Sequence, residues 1–280
     1  MSDSSREPKI YLLPNLMTAG NLACGFFAVL TIFRGIHEGG LGSDYDFMTA
    51  TSYYERAILL IFGSCIFDLL DGRLARLGGQ DSPFGREFDS IADIISFGMA
   101  PALLVSRAVL FDLDANWEWV GWAIAFAYLL CGAVRLARFN CVAALPPRPD
   151  DHHDFSGIPI PMAAGFIASL TFLMIRIYGS GKELGNWKFV LAAVMLGLAL
   201  LMISHIRYPS FKKVDWKTRA NMPILVGVTL IIAATVRFPW LMPAVLFTCY
   251  LLYGFIRPML GKRLQHDLEE GFIHNDEEEN

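Results

Sequence analysis

Four aspartates stand where an apolar chain has little use for charge. Asp68 and Asp71 are three residues apart, and Asp89 and Asp93 are four apart. On helices, each pair falls on one face. Both pairs border long apolar runs. The segment between them, residues 77–84, contains Gly78-Gly79 and Ser82-Pro83, which signals a turn. The spacing therefore predicts two antiparallel neighbouring helices whose four carboxylates meet at similar depth. Four ionised carboxylates in one place repel, and bound divalent cations remove the conflict. A carboxylate cluster without Cys or His suits the hard ions Mg²⁺ or Mn²⁺.

Small residues are interleaved with the acids. Gly72 lies four residues after Asp68, Ala75 four after Asp71, and Gly85 four before Asp89. All three fall on the carboxylate faces, where they let a ligand or a neighbouring helix approach closely. Arg76 adds a fixed cation suited to phosphate oxygens. The bland alternative is a set of solvated charges at helix ends. It serves for one Asp; four on two adjacent helices favour function, because acids within membrane segments are usually functional.

The elements that must position these groups are membrane spans. Of the 280 residues, 54% are apolar and 18% charged, against about 45–50% and about 25% in average soluble domains. The charges cluster between apolar runs about 20 residues long, enough to cross a bilayer. That excludes an ordinary soluble enzyme, a disordered chain and a disulfide scaffold, and the net charge of −4 gives no sign of nucleic acid as a partner. Eight spans are expected, at residues 15–33, 57–70, 88–110, 119–137, 158–177, 187–206, 222–236 and 239–259. The fold class is thus all-α, a polytopic membrane helix bundle. The second span completes a crossing only if the helix continues through 53–56 and 71–75. Phe238-Pro239 reads as a tight turn between the last two spans. Residues 10–13 are either a short amphipathic approach to the membrane or a frayed terminus.

With eight spans both termini share one side. Sixteen of the 23 Lys and Arg residues fall on that side and seven on the other, which puts both termini and the Asp cluster in the cytoplasm. Residues 1–14 form a cytoplasmic N-terminal segment in which no cleaved signal peptide is read. The basic loop 207–221 faces anionic lipid headgroups, two spans follow in 222–260, and the acidic tail 261–280 reads as a solvated, disordered end. Cys24, Cys65, Cys131, Cys141 and Cys249 show no CxxC spacing and read as reduced thiols. His152 and His153, among Asp150, Asp151 and Asp154, favour a solvated loop over a metal site.

The residues from Asp68 to Asp93 spell D-x2-D-G-x2-A-R-x8-G-x3-D-x3-D. This resembles the signature of the CDP-alcohol phosphatidyltransferase family at every motif position. The resemblance implies a six-helix catalytic core, here residues 15–206, with two additional C-terminal spans. It implies that Asp68, Asp71 and Asp89 hold metal, and that Asp93 is the general base with a share in a second ion. Gly72, Ala75, Arg76 and Gly85 would shape the nucleotide and pyrophosphate site. Three further stretches, residues 13–18, 135–140 and 157–164, look most like members whose acceptor alcohol is serine. CDP-diacylglycerol is then the donor, L-serine the acceptor, and the location a bacterial inner membrane.

Several side chains keep two readings. Asn15 and Thr18 share one face of the first helix and Ser82 lies in the turn; each bonds the nucleotide or serves as a cap. Arg135 and Arg138, expected at a helix end, hold the serine carboxylate or donor phosphates, or anchor the helix at the headgroups. Glycerol 3-phosphate or an inositol phosphate remains an alternative acceptor, and a cation transporter is a more remote alternative. The sequence leaves a homodimer open.

Overall fold

The computed structural model describes residues 12–39, 46–78, 82–110, 118–143, 155–178, 185–204, 207–208 and 222–256. The described chain is helical almost throughout, the arrangement that satisfies backbone groups where no water is available. Helix α1 is Leu12–Glu38 and α2 is Phe47–Gly78. Helix α3, Pro83–Asp93, runs through a π-helical segment, Ile94–Met99, into α4, Ala100–Ala108. Then come α5 (Glu118–Ala143), α6 (Ile160–Tyr178), α7 (Trp187–Ile203), α8 (Met222–Arg237) and α9 (Met242–Ile256).

Among the described residues, four segments are long and apolar enough to cross a membrane: Leu12–Glu38, Pro83–Ala108, Trp119–Ala143 and Ile160–Ile177. Trp187–Ile203 and Met242–Gly254 are shorter apolar helices. Large apolar side chains face outward, among them Phe26, Phe27 and Phe33 on α1 and Trp119, Trp122 and Phe126 on α5. An outward apolar surface on a multi-helix bundle is what lipid solvates. The protein is a polytopic helical membrane protein.

Several helix ends differ from expectation, for identifiable reasons. Helix α2 extends past the expected span at both ends. At its start the Met48 amide donates to Asp46 Oδ1 at 3.0 Å, a side-chain cap. Helix α3 begins at Pro83 rather than residue 88. Ser82 caps it by accepting from the Gly85 amide at 3.0 Å, and Pro83 occupies the first turn, where no amide donor is needed. Helix α5 runs on to Ala143, so Arg135 and Arg138 lie inside it and not at its end. Arg, Leu and Ala are good helix formers, whereas the apolar-run reading ends the span at residue 137, before Arg138. Leu12 and Leu13 belong to the first turn of α1. The expected turn at Phe238-Pro239 is present: the Leu241 and Met242 amides donate to the Phe238 carbonyl at 3.1 and 3.0 Å.

One small ladder departs from the all-helical expectation. β1 (Phe155–Ser156) pairs antiparallel with β2 (Arg207–Tyr208), Phe155 opposite Tyr208 and Ser156 opposite Arg207. It ties the segment before α6 to the segment after α7. Gly157 follows with φ +83°, and a Cβ there would stand 2.4 Å from the Met202 carbonyl oxygen. Only glycine fits that conformation and that gap.

Helix α1 lies along α2 and also touches α3, the π segment and α4. It is the element that all parts of the Asp region share. The core beneath holds Ile32, Tyr54, Ile58, Phe97, Tyr128 and Ile160, all essentially inaccessible. Tyr128 explains part of the π segment. In an α-helix the Phe97 carbonyl would accept from residue 101, but Pro101 has no amide hydrogen. The Tyr128 hydroxyl donates to that carbonyl at 3.1 Å instead. Helix α5 packs on α7, α6 on α9, and α8 on α9. The basic loop, His152 and His153, and the acidic tail lie outside the described residues, apart from the ladder pair Arg207 and Tyr208.

Candidate active site

Helix α2 supplies Asp68 and Asp71, and α3 supplies Asp89 and Asp93, as their spacing predicts. Carboxylate oxygens of Asp68, Asp71 and Asp89 all lie within 4.8 Å of one another. Asp71 is buried, and Asp68 and Asp89 are half-buried. Asp93 lies one helical turn further along α3 and is buried as well. The two helices thus bring the four acids together and leave one turn between the trio and the fourth.

Helix α1 contributes neutral donors. The Thr18 hydroxyl faces Asp71 Oδ2 at 3.0 Å and the Pro14 carbonyl at 3.2 Å. One turn on, Asn21 Nδ2 donates to Asp93 Oδ1 at 3.1 Å. The Asn21 backbone carbonyl in turn accepts from Ser96 Oγ at 2.9 Å and Ser64 Oγ at 3.3 Å. Asn21, Ser64 and Ser96 were not singled out from the sequence. A signal was there: Asn15, Thr18 and Asn21 recur every third residue in an apolar helix, and a buried amide is costly unless it has a partner.

The remaining expected residues are placed as follows. Ser82 is the α3 cap, buried, with its hydroxyl engaged by Gly85. Gly85 faces α1: a Cβ there would meet Ser82 Oγ at 3.2 Å and Asn15 Oδ1 at 3.4 Å. Asn15 Nδ2 is buried without a partner among the described residues. Gly72 follows Asp71 on α2, half-buried. Ala75 and Arg76 lie in the last turns of α2, and their side chains fall outside the described residues. Arg135 Nε is buried without a partner among the described residues. Arg138 Nη1 donates to the Ile203 carbonyl at 3.4 Å, at the C-terminal end of α7, where a cation complements the helix dipole. Pro83, Arg86, Glu87 and Asn140 line a cleft of about 150 Å³ between α3 and α5. Asn140 Nδ2 ties α5 to α3 through Ser90 Oγ at 2.9 Å.

The trio fits a hard divalent cation. Its donors are carboxylate oxygens alone, and Asp89 Oδ1 is buried with no hydrogen-bond partner among the described residues. A buried carboxylate oxygen left without a donor is costly, and an ion supplies what the protein withholds.

A model of the CDP-alcohol phosphatidyltransferase family matches residues 11–251, which includes all four aspartates. The chain belongs to that family. Curated phosphatidyltransferases share much of its length. It is 36% identical to the CDP-diacylglycerol–serine O-phosphatidyltransferase of Helicobacter pylori over 248 residues, 89% of this chain and 91% of the relative. It is 32% identical to the protein of the same name from Bacillus subtilis, over 72% of this chain and 92% of that one. The archaetidylserine synthase of Methanothermobacter thermautotrophicus is 30% identical over 75% of this chain and 74% of its own. Metal dependence is general in this phosphatidyltransferase family, in keeping with the oxygen-only trio.

Proposed function

We propose that this phosphatidyltransferase moves the phosphatidyl group of CDP-diacylglycerol to the hydroxyl of L-serine, giving phosphatidylserine and CMP. The observation that carries the reading is the match to relatives named for that reaction across nine-tenths of the chain. The Asp geometry supports the chemistry, and the wet, cytoplasmic end of the bundle suits an amphipathic donor whose acyl chains stay in lipid.

Asp68, Asp71 and Asp89 would hold the divalent cation, Mg²⁺ or Mn²⁺, with Asp93 sharing a second ion. Ions held there would supply positive charge to the pyrophosphate and to the departing CMP phosphate. The Asp93 carboxylate accepts the proton of the serine hydroxyl as its oxygen bonds to phosphorus and the bond from phosphorus to the CMP oxygen breaks. A serine hydroxyl is a poor nucleophile without a base in hydrogen-bond reach. Gly72, Ala75 and Gly85 keep the carboxylate faces open to the nucleotide, and Arg76 pairs with its phosphates. Asn15, whose amide donor has no partner among the described residues, and Thr18 line the same side, and Ser82 shapes the α3 end. Arg135 and Arg138 hold the serine carboxylate or the donor phosphates.

The chain crosses a bacterial inner membrane eight times with both termini in the cytoplasm. The first six spans form the catalytic core, residues 15–206, and the last two an addition, residues 222–260. Support comes from the charge asymmetry across the loops and from the α8–α9 turn. The deciding experiment supplies purified protein with CDP-diacylglycerol and, in turn, serine, glycerol 3-phosphate or inositol phosphate. Phosphatidylserine with serine alone is expected. Phosphatidylglycerophosphate in its place would overturn the acceptor and leave the family intact.

A further inference from the structure

We infer that Asn21 is a positioning residue that fixes the orientation of the Asp93 carboxylate, and that Ser64 and Ser96 hold Asn21 in place. The inference rests on Asp93 being the base. Asn21 is completely buried, and its Nδ2 donates to Asp93 Oδ1 at 3.1 Å. Its backbone carbonyl takes hydroxyl bonds from α2 (Ser64) and from the π segment (Ser96). Gly25 makes the second bond possible: a Cβ at that position would stand 2.1 Å from Ser96 Oγ. Two elements therefore converge on one peptide unit of α1, whose side chain reaches the acid on a third.

Stability does not account for this amide. Its Oδ1 is buried and accepts no hydrogen bond among the described residues. An apolar side chain of similar volume would remove that orphan but leave Asp93 Oδ1 without its donor, so what the amide serves is the acid. The arrangement has chemical sense instead. A donor on one carboxylate oxygen locks the rotamer and leaves the other oxygen for the incoming proton. Because the donor is neutral, it orients the group at a smaller loss of basicity than an ion pair would bring. Thr18 treats Asp71 in the same way one turn earlier, so α1 presents two neutral donors to two acids.

The test is a double-mutant cycle on the full-length purified protein. Asn21→Ala should lower kcat by about 10–100-fold, within the usual scale for a mispositioned reacting group. KM for serine and for CDP-diacylglycerol should change by less than about threefold, the pattern of an interaction needed in the transition state. Binding of the first Mn²⁺, the ion assigned to Asp68, Asp71 and Asp89, followed in the same protein by electron paramagnetic resonance without substrate, should be unchanged. In an Asp93→Asn background, Asn21→Ala should cost nothing further. An equal loss in both backgrounds overturns the inference, because the amide then acts through something other than Asp93. Full kcat in Asn21→Ala overturns it too. Normal turnover in Asp93→Asn removes the base reading itself and is told apart by that single variant. Should Asn21→Ala not fold, Ser96→Ala loosens the same amide. It should lower kcat in the wild-type background and leave the Asp93→Asn background unaffected, and an equal loss in both overturns the inference.

Discussion

Replacing Gly25 by alanine should damage the reaction centre without touching any acid. A Cβ at residue 25 would lie 2.1 Å from Ser96 Oγ, 2.6 Å from Ser96 Cα and 2.8 Å from Ser96 Cβ. Carbon atoms in contact prefer about 3.5–4.0 Å, so α1 and the π segment must part by about 1 Å. A rotamer change cannot relieve it, because a backbone atom is among those struck. The Ser96–Asn21 hydrogen bond, 2.9 Å long, then stretches past the useful range of about 3.2 Å. Overpacking costs about 1–3 kcal/mol and the lost bond about 1 kcal/mol. Turnover should fall as well, by about 10²-fold, the cost of a shift of about 1 Å at a reacting group. Two glycines serve as controls. Among the described residues, Gly197 has nothing within 4 Å of its added Cβ, and Gly63 meets only Cys24 Sγ at 3.6 Å. Alanine at Gly197 should be neutral or stabilise its helix by up to about 1 kcal/mol, and alanine at Gly63 should be tolerated. The assay pairs thermal unfolding of purified protein with serine-dependent CMP release. If Gly25→Ala matches Gly197→Ala in both, the close approach of α1 to the π segment does not hold the site together.

Chelation should abolish CMP release and added Mg²⁺ or Mn²⁺ restore it; Asp68→Ala and Asp89→Ala should be inactive yet membrane-inserted, and full activity after exhaustive chelation would remove the metal assignment. In a cysteine-free background, Gln80→Cys should react with an impermeant thiol reagent only once the cytoplasmic face is opened, and labelling of intact cells would reverse the orientation. Arg135→Ala should raise KM for serine if the guanidinium holds the acceptor carboxylate, and for CDP-diacylglycerol if it holds donor phosphates; an unchanged KM for both would leave Arg135 as a helix anchor.

The helices were legible because the bilayer sets their length and leaves the backbone no alternative pairing. Their ends were less so. A reading by apolar runs stops at Arg56, at Asp71, at Glu87 and at Arg138, whereas the helices continue through all of them because capping and propensity, not hydropathy, decide where a helix ends. The two-residue ladder at Phe155–Ser156 has no periodicity to announce it. The four acids were the clearest signal of all, since their spacing places each pair on one face whatever the helix ends do.

What spacing could not deliver was the contribution of α1 and the π segment. Asn21 sits in a run that reads as apolar, where one amide passes as tolerated; its meaning depends on Asp93, 72 residues away in sequence. The π segment follows from no local pattern. It shows only when Pro101 is seen to leave the Phe97 carbonyl without its usual donor and Tyr128, from another helix, is seen to supply one. The same segment carries Ser96 to Asn21. Asp93 therefore sits at the last turn before an irregularity whose two exposed needs, a carbonyl and a hydroxyl, are met by α5 and α1. π segments within longer helices occur frequently at functional sites, and here the reason is mechanical: the extra residue lets one helix face both partners just beyond its final acid.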